Sequence, residues 1–294
     1  MGIRILLIRG GGTGDVLLAT TVIKALRRKF PDAHIAFATE LINVDVLMNL
    51  QELDEIIGLK DTQEVLSFSM PGYEVQYSLN YEKFPQVHIL DAYGYITGLD
   101  LSNQAPAIVL NEEDRNYAQQ VWEIFALGTG NLVIGLHRGP TWPIRTWPDA
   151  YFRDTVRYFK EKYAARFIEL SVVKGYCLGV DIDLSGQTSL RQLAAVLEKC
   201  SLVLCIDSLI MHLASTVSTP VVAIFGGTDP DKRLPRNNLS VGVQADISCH
   251  GCHHREPMKI YTECRQSSIR CMESLSPNQV IEAGERLLLR CGLI

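Results

Sequence analysis

Short apolar runs rich in β-branched residues alternate along this chain with stretches whose apolar positions recur every three or four residues. The first pattern predicts buried strands, the second amphipathic helices. Strands are expected at residues 3–8, 34–38, 132–137, 166–170, 202–206 and 221–225, with weaker candidates at 55–59 and 74–79. Helices are expected at 15–30, 42–50, 88–99, 112–125, 148–163, 190–200, 208–217 and 277–290. Asn111 reads as a cap for the helix at 112–125, and Pro148 fits the first turn of the one it opens. Strand–helix alternation implies parallel sheets wrapped by helices, an α/β fold.

The length of 294 residues suggests two domains. They are expected at 1–127 and 128–294, with the segment LGTGN at 127–131 as the linker. Each half is long enough to bury a core of its own. A net charge of −5 argues against nucleic acid as a partner, which asks for a basic stripe. Lys24, Arg27, Arg28 and Lys29 form the one basic cluster. They suit the negative end of a helix dipole, or else a patch for an anionic acceptor or a membrane surface. No apolar run is long enough to span a bilayer. Residues 1–12 read as a core strand rather than a signal peptide. The chain is therefore expected in the cytoplasm, at most peripheral to the inner membrane. There its eight cysteines are not expected to form a disulfide framework.

In parallel sheets, ligands bind beyond the carboxyl ends of the strands, and four such segments stand out. RGGGTGD at 9–15 has glycines that allow close backbone approach, and it opens onto a helix N-terminus. It is not a dinucleotide fingerprint, because Asp15 stands where the third glycine belongs. It is not a P-loop, because no Gly-Lys-Ser/Thr follows. It brings a carboxylate forward; read alone, Asp15 also serves the first turn of the helix. HRGPTWPIRTWP at 137–148 places Arg145 before a helix, where it suits a diphosphate or a plain surface role. In DSLIMH at 207–212, Asp207 or Ser208 caps a helix, and Ser208 and His212 share one face. FGGTDP at 225–230 suits a phosphate or ribose, or an ordinary turn.

Taken together and in this order, these segments resemble glycosyltransferase family 9, the ADP-heptose:lipopolysaccharide heptosyltransferases. Residues 14–33, GDVLLATTVIKALRRKFPDA, resemble the family's first helix and the Gly-Asp before it. Arg145-Thr146-Trp147-Pro148 stands for its Lys-x-Trp-Pro. DSLIMHLAS (207–215) and TPVVAIFGGTDP (219–230) stand for its Asp-Ser-Gly-Pro-Met-His-Leu-Ala and its following strand and turn. The resemblance implies a GT-B fold, two Rossmann-like domains facing each other across a cleft, acceptor-binding first and nucleotide-sugar-binding second. It implies inverting transfer of a sugar, heptose from ADP-heptose, to a saccharide, lipid-linked or protein acceptor. Asp15 would be the catalytic base, with Gly12, Thr13 and Gly14 in the acceptor loop. Arg145, Asp207, Ser208, Met211, His212, Gly227 and Thr228 would hold the donor, and no cofactor would be needed for catalysis. The chain departs from the family pattern in three places. Arg145 replaces lysine, Leu209-Ile210 replaces Gly-Pro, and the loop at 171–179 lacks the carboxylate that often holds the donor ribose.

Cys249, Cys252, Cys264 and Cys271 have the spacing C-x2-C-x11-C-x6-C, with His250, His253 and His254 beside the first pair. Such a spacing can make a closed tetrahedral thiolate site, structural rather than catalytic. A bound metal, zinc or iron, is the expected reading, against the plainer one of four reduced thiols. Some autotransporter heptosyltransferases in the family carry an iron-binding finger, so the resemblance places iron beside zinc. Cys177, Cys200, Cys205 and Cys291 read as core or surface thiols. Two other functions fit parts of the sequence. A nicotinamide-dependent oxidoreductase would use the glycine loop and Glu40. A non-catalytic binding relative would keep the fold and the metal finger.

Overall fold

The computed structural model describes residues 2–128, 130, 132–139, 142–171, 179–255 and 264–294. The chain divides into two compact units, Met1–Val109 and Leu110–Ile294. The first contains β1 (Arg4–Ile8), α1 (Thr13–Lys29), β2 (His34–Glu40), α2 (Val44–Leu47), β3 (Glu55–Leu59), α3 (Thr62–Ser67), β4 (Val75–Ser78) and α4 (Ile89–Thr97). Its strands pair in parallel in the order β3-β2-β1-β4. Ile5, Leu6 and Leu7 of the inner strand β1 are all buried, as a strand covered on both faces requires. β2 lies on one side of β1 and β4 on the other, so the order reverses beside the glycine loop.

The second unit contains α5 (Glu112–Ile124), β5 (Val133–His137), α6 (Asp149–Tyr163), β6 (Arg166–Glu169), β7 (Ile182–Asp183) and α7 (Leu190–Glu198). It continues with β8 (Leu202–Ile206), α8 (Leu209–Thr216), β9 (Val221–Phe225), α9 (Pro230–Arg233), β10 (Ser240–Gln244), α10 (Arg270–Glu273) and α11 (Pro277–Arg290). The sheet order is β10-β9-β8-β5-β6-β7, and every pair is parallel. Starting from β5, the chain builds outward on one side and then returns to build outward on the other. This is the doubly wound Rossmann order, with its switch point between β5 and β8. Both units are Rossmann-like, as the GT-B expectation requires.

The division falls ahead of α5, whereas the composition suggested a linker at 127–131. Asn111 and Asp114 close the start of α5 with a reciprocal capping box, and two ion pairs hold the helix to α7 within the second unit. Arg115 pairs with Glu198 at 3.2 Å, and Arg191 reaches Asp114 at 3.6 Å. The helix expected over 42–50 is a 3-10 turn (Leu41–Asn43) followed by the four-residue α2. In the basic cluster, Arg27 is occupied by the carbonyls of Pro31, Ala33 and Glu52 and by the carboxylate of Asp54. It closes the end of α1, while Arg28 and Lys29 are exposed. Among the described residues no helix is long and apolar enough to cross a membrane.

Candidate functional site

In the first unit the glycine loop is held from both neighbours of β1. From the β2 side, Glu40 Oε1 accepts hydrogen bonds from the Gly11 amide (2.8 Å) and the Thr62 hydroxyl (2.7 Å). Its Oε2 accepts from Asn43 Nδ2 (3.0 Å), which also donates to the Gly11 carbonyl (3.1 Å). Asn43 Oδ1 accepts from the Thr13 hydroxyl (2.8 Å). Gly11 has φ +96°, a backbone conformation that only glycine adopts without strain. From the β4 side, Arg9 donates to the Leu79 carbonyl (3.0 Å) and grips Glu82 at two points, 2.8 and 2.9 Å. The same guanidinium lies 3.0 Å from Asp15 Oδ2. Burial opposes the Arg9 charge, but Tyr93, Glu82 and Asp15 outweigh it and raise its pKa. Gly12 occupies the N-cap of α1, and Asp15 stands in its first turn with its side chain 21% exposed. The Tyr93 hydroxyl donates to the Asp15 carbonyl at 3.0 Å. The carboxylate is thus both a first-turn acid and a positioned group.

Burial pushes the Glu40 carboxyl up, yet the bonds from Thr62, Gly11 and Asn43 hold it below its ordinary value. Glu40→Ala would take an acceptor from the Gly11 amide, the Thr62 and Thr39 hydroxyls and Asn43 and is expected to cost about 2–3 kcal/mol, read by urea unfolding. The contribution of Glu40 is complete above the unfolded-state pKa of about 4.3. It fades as pH falls through the lower folded-state value. The difference between wild type and Glu40→Ala should therefore shrink in acid.

In the second unit the candidates gather at the switch point. Arg145 ends a 3-10 turn (Pro143–Arg145) after β5, and Asp207 follows β8. Arg145 Nε lies 3.2 Å from Asp207 Oδ2, and Nη1 donates to the Asp207 carbonyl at 3.4 Å. Their side chains are 13% and 4% exposed. The Arg145 guanidinium also lies 4.0 Å from the centre of the Trp142 ring, a cation–π contact. Trp147 anchors this turn: its Nε1 donates to the Leu275 carbonyl at 2.8 Å, and its ring meets Phe152 edge-on at 4.7 Å. Burial pushes the Asp207 carboxyl up. Arg145, Arg233, the Thr228 hydroxyl and His212 pull it down, and the net result is below the ordinary range.

Ser208 stands at the N-cap of α8, but its hydroxyl makes no cap bond. Among the described residues that hydroxyl has no hydrogen-bond partner. His212 is buried one turn further on, and Met211 is fully buried. The turn after β9 lies directly against the one carrying Arg145, with the Gly227 amide donating to the Ile144 carbonyl at 3.1 Å. A Cβ on Gly226 would stand 2.3 Å from Met272 Sδ and 2.8 Å from the Ile144 carbonyl oxygen. Gly226→Ala is expected to cost about 1–3 kcal/mol by overpacking, read by denaturant unfolding. An unchanged midpoint would show that the two turns are not tightly coupled.

The sequence pattern of glycosyltransferase family 9 (heptosyltransferase) matches residues 20–261. The chain belongs to that family. It is a glycosyltransferase, moving a sugar from a nucleoside diphosphate donor. Lipooligosaccharide heptosyltransferase 2 of Campylobacter jejuni is 22% identical over 292 residues, spanning 93% of this chain and 88% of that protein. Three solved structures share the fold. A family 9 glycosyl transferase from Veillonella parvula has a TM-score of 0.80 at 21% identity, over 98% of each chain. E. coli ADP-heptose lps heptosyltransferase II has 0.70 at 14%, over 99% of each. The iron-containing dodecameric glycosyltransferase TibC of E. coli has 0.74 at 14%, over 99% of this chain and 77% of that one. These likenesses place the two Rossmann-like units in the GT-B class.

The zinc or iron finger expected of this family 9 member is not borne out. Among the described residues no group of three or more His, Cys, Asp or Glu side chains is placed to hold a metal ion. Cys249, Cys252, Cys264 and Cys271 line one pocket, but as free thiols. Cys271 is 5% exposed and packs into the hydrophobic core of its unit. Burial and the neighbouring sulfurs push its thiol to about 11 and raise that of Cys252. Cys264 Sγ donates to the Ser268 carbonyl at 3.3 Å and accepts from the Gln266 amide at 3.4 Å. The described start of this segment, residues 249–255, is tied to the neighbouring turn through its main chain. The Gly251 amide donates to the Gly226 carbonyl (3.1 Å) and the His253 amide to the Gly227 carbonyl (2.9 Å). Gln244 donates to the carbonyls of Gly226 and Thr228 and pairs with His250 at 2.7 Å. The cysteine-rich segment thus buttresses the 226–228 turn. The iron named for TibC is a property of that protein.

The loop at 171–179, noted for its missing carboxylate, falls largely outside the described residues, as does Cys177. Glu169, at the end of β6, is a buried carboxylate already held by the Ser171 hydroxyl and by Arg138 at 3.0 Å. Sequence reasoning missed Asn43, Glu82, Trp142 and Arg233, which bear no fixed spacing to the residues they serve, and it noted His253 only as a neighbour of the cysteine pair. It noted Glu40, but as a sign of a nicotinamide site; in the structure Glu40 braces the glycine loop.

Proposed function

We propose that this chain transfers heptose from ADP-heptose, with inversion, to a saccharide acceptor carried on a lipid. The reading rests on family membership and on the names of its relatives. The observation that carries the donor assignment is the buried Arg145–Asp207 pair at the switch point, beside a helix N-terminus that its own Ser208 leaves uncapped. A cation, a helix N-terminus without a side-chain cap and a hydroxyl suit a diphosphate.

In this reading Asp15 takes the proton from the acceptor hydroxyl as its oxygen bonds to the anomeric carbon. The bond from that carbon to the phosphate oxygen breaks, and the nucleoside diphosphate leaves with the electron pair. Arg145, the start of α8 with Ser208, and Thr228 stabilise the growing negative charge. His212 and Gly227 complete the donor side, with Met211 packing beneath it. Arg9, 3.0 Å from one Asp15 oxygen, holds the carboxylate in one orientation. Gly12, Thr13 and Gly14 shape the acceptor side of that group. Asp207 fixes the Arg145 guanidinium through its carboxylate and its carbonyl.

The test is nucleoside diphosphate release from ADP-heptose, GDP-mannose and UDP-glucose, each with and without a lipid-linked core saccharide. Acceptor-dependent release of ADP from ADP-heptose is expected. Release from a different donor alone would overturn the heptose assignment.

A further inference from the structure

The cysteine-rich segment contributes a side chain to the site just described. His253 is 8% exposed. Its amide is fixed to the Gly227 carbonyl, which sets the ring beside the 226–228 turn. The ring lies 5.4 Å from that of Trp142, whose ring also meets the Arg145 guanidinium at 4.0 Å. Burial, with Arg233 and Arg145 nearby, lowers its pKa to about 4 against the opposing pull of Asp207. The imidazole is therefore neutral at neutral pH. Among the described residues its Nδ1 has no hydrogen-bond partner. A buried polar atom in that state calls for a hydrogen-bond partner, which a bound ligand can supply. Two neighbouring guanidiniums disfavour a cation there, and an anion with acceptor oxygens fits.

We propose that His253 is a donor-binding residue, whose Nδ1–H donates a hydrogen bond to a phosphate oxygen of the nucleoside diphosphate. This rests on the assignment of the Arg145–Asp207 site to the donor. The main-chain bonds from Gly251 and His253 to the turn then set the ring's position against the phosphate. Residues 251–254 become a wall of the donor site.

The experiment is calorimetric titration of the full chain with ADP, GDP and UDP, followed by the nucleoside matching whichever binds. H253A is expected to weaken the diphosphate about tenfold or more and leave nucleoside binding unchanged. H253N carries an amide nitrogen near the position of Nδ1 and should recover most of the loss. H253Q places its amide nearer the position of Nε2 and should not. Thermal unfolding of each variant checks that it is folded; if H253A is not, the Asn and Gln variants carry the comparison. Wild-type affinity in H253A, or equal losses for diphosphate and nucleoside with no recovery in H253N, would overturn the inference alone. Failure of the wild type to bind any nucleoside diphosphate would overturn the donor-site reading as well.

Discussion

Asp15→Asn is expected to slow sugar transfer by about 10²–10⁴-fold, the range typical of a lost general base, with donor affinity unchanged. The amide keeps the size of the carboxylate and can still accept from Arg9, but it cannot take up a proton. The surrounding structure should survive the change. Arg9 keeps its two-point grip on Glu82 and its bond to the Leu79 carbonyl. Glu40 and Asn43 still hold Gly11 from the other side. The loss should therefore appear in kcat rather than in the donor KM, with little change in unfolding midpoint. Steady-state release of nucleoside diphosphate in the presence of acceptor reads it. Transfer at close to the wild-type rate would show that the proton goes elsewhere. The matched family region begins at residue 20, so the role of Asp15 depends on this experiment more than on kinship.

Arg145→Ala should have the larger effect on stability, about 3–5 kcal/mol, because it strands the buried carboxylate of Asp207 without its ion partner. It should also abolish measurable donor binding. The two losses can be separated. Arg145→Ala combined with Asp207→Asn removes the unpaired charge, so stability should largely return while donor binding does not. The dependence on pH gives an independent sign. In the wild type the lowered pKa of Asp207 adds stability that is complete above about pH 3.9 and is lost as pH falls through the folded-state value. Without Arg145 the largest pull on the buried carboxyl is gone, and its folded-state pKa rises toward that set by burial, Arg233, Thr228 and His212. The variant should therefore gain less stability than the wild type as pH rises through that window. Urea unfolding between acid and neutral pH would show it, and parallel curves for the two proteins would contradict it.

The elements most legible in the sequence were those whose pattern follows from burial alone. LVLCI at 202–206 and VVAIF at 221–225 became β8 and β9 with the same ends, because strands covered on both faces are apolar throughout. The last helix is legible from its periodicity and from Pro277 after Ser276. With those strands in place, the rule that ligands sit beyond their carboxyl ends points straight to Arg145 and Asp207. Residues 42–50 were less legible as a helix because Asn43 is recruited by Gly11 and Thr13, some thirty positions earlier in the chain. β7 has two residues, and the half-buried β10 lies at the sheet edge, so neither leaves a clear alternation. The cysteine spacing misled for a related reason. Ligand spacing describes where sulfurs occur along the chain, whereas residues 251–253 are tied by amides bonded to the carbonyls of Gly226 and Gly227. Nothing in the spacing marks His253 as the residue whose ring that arrangement delivers.

The most direct test is equilibrium titration of the wild type and Arg145→Ala with ADP-heptose in the absence of acceptor. Saturable one-site binding by the wild type, and none by the variant, is the predicted result. No binding by the wild type, or equal binding by the two, would contradict the assignment of the second unit's switch point to the sugar donor.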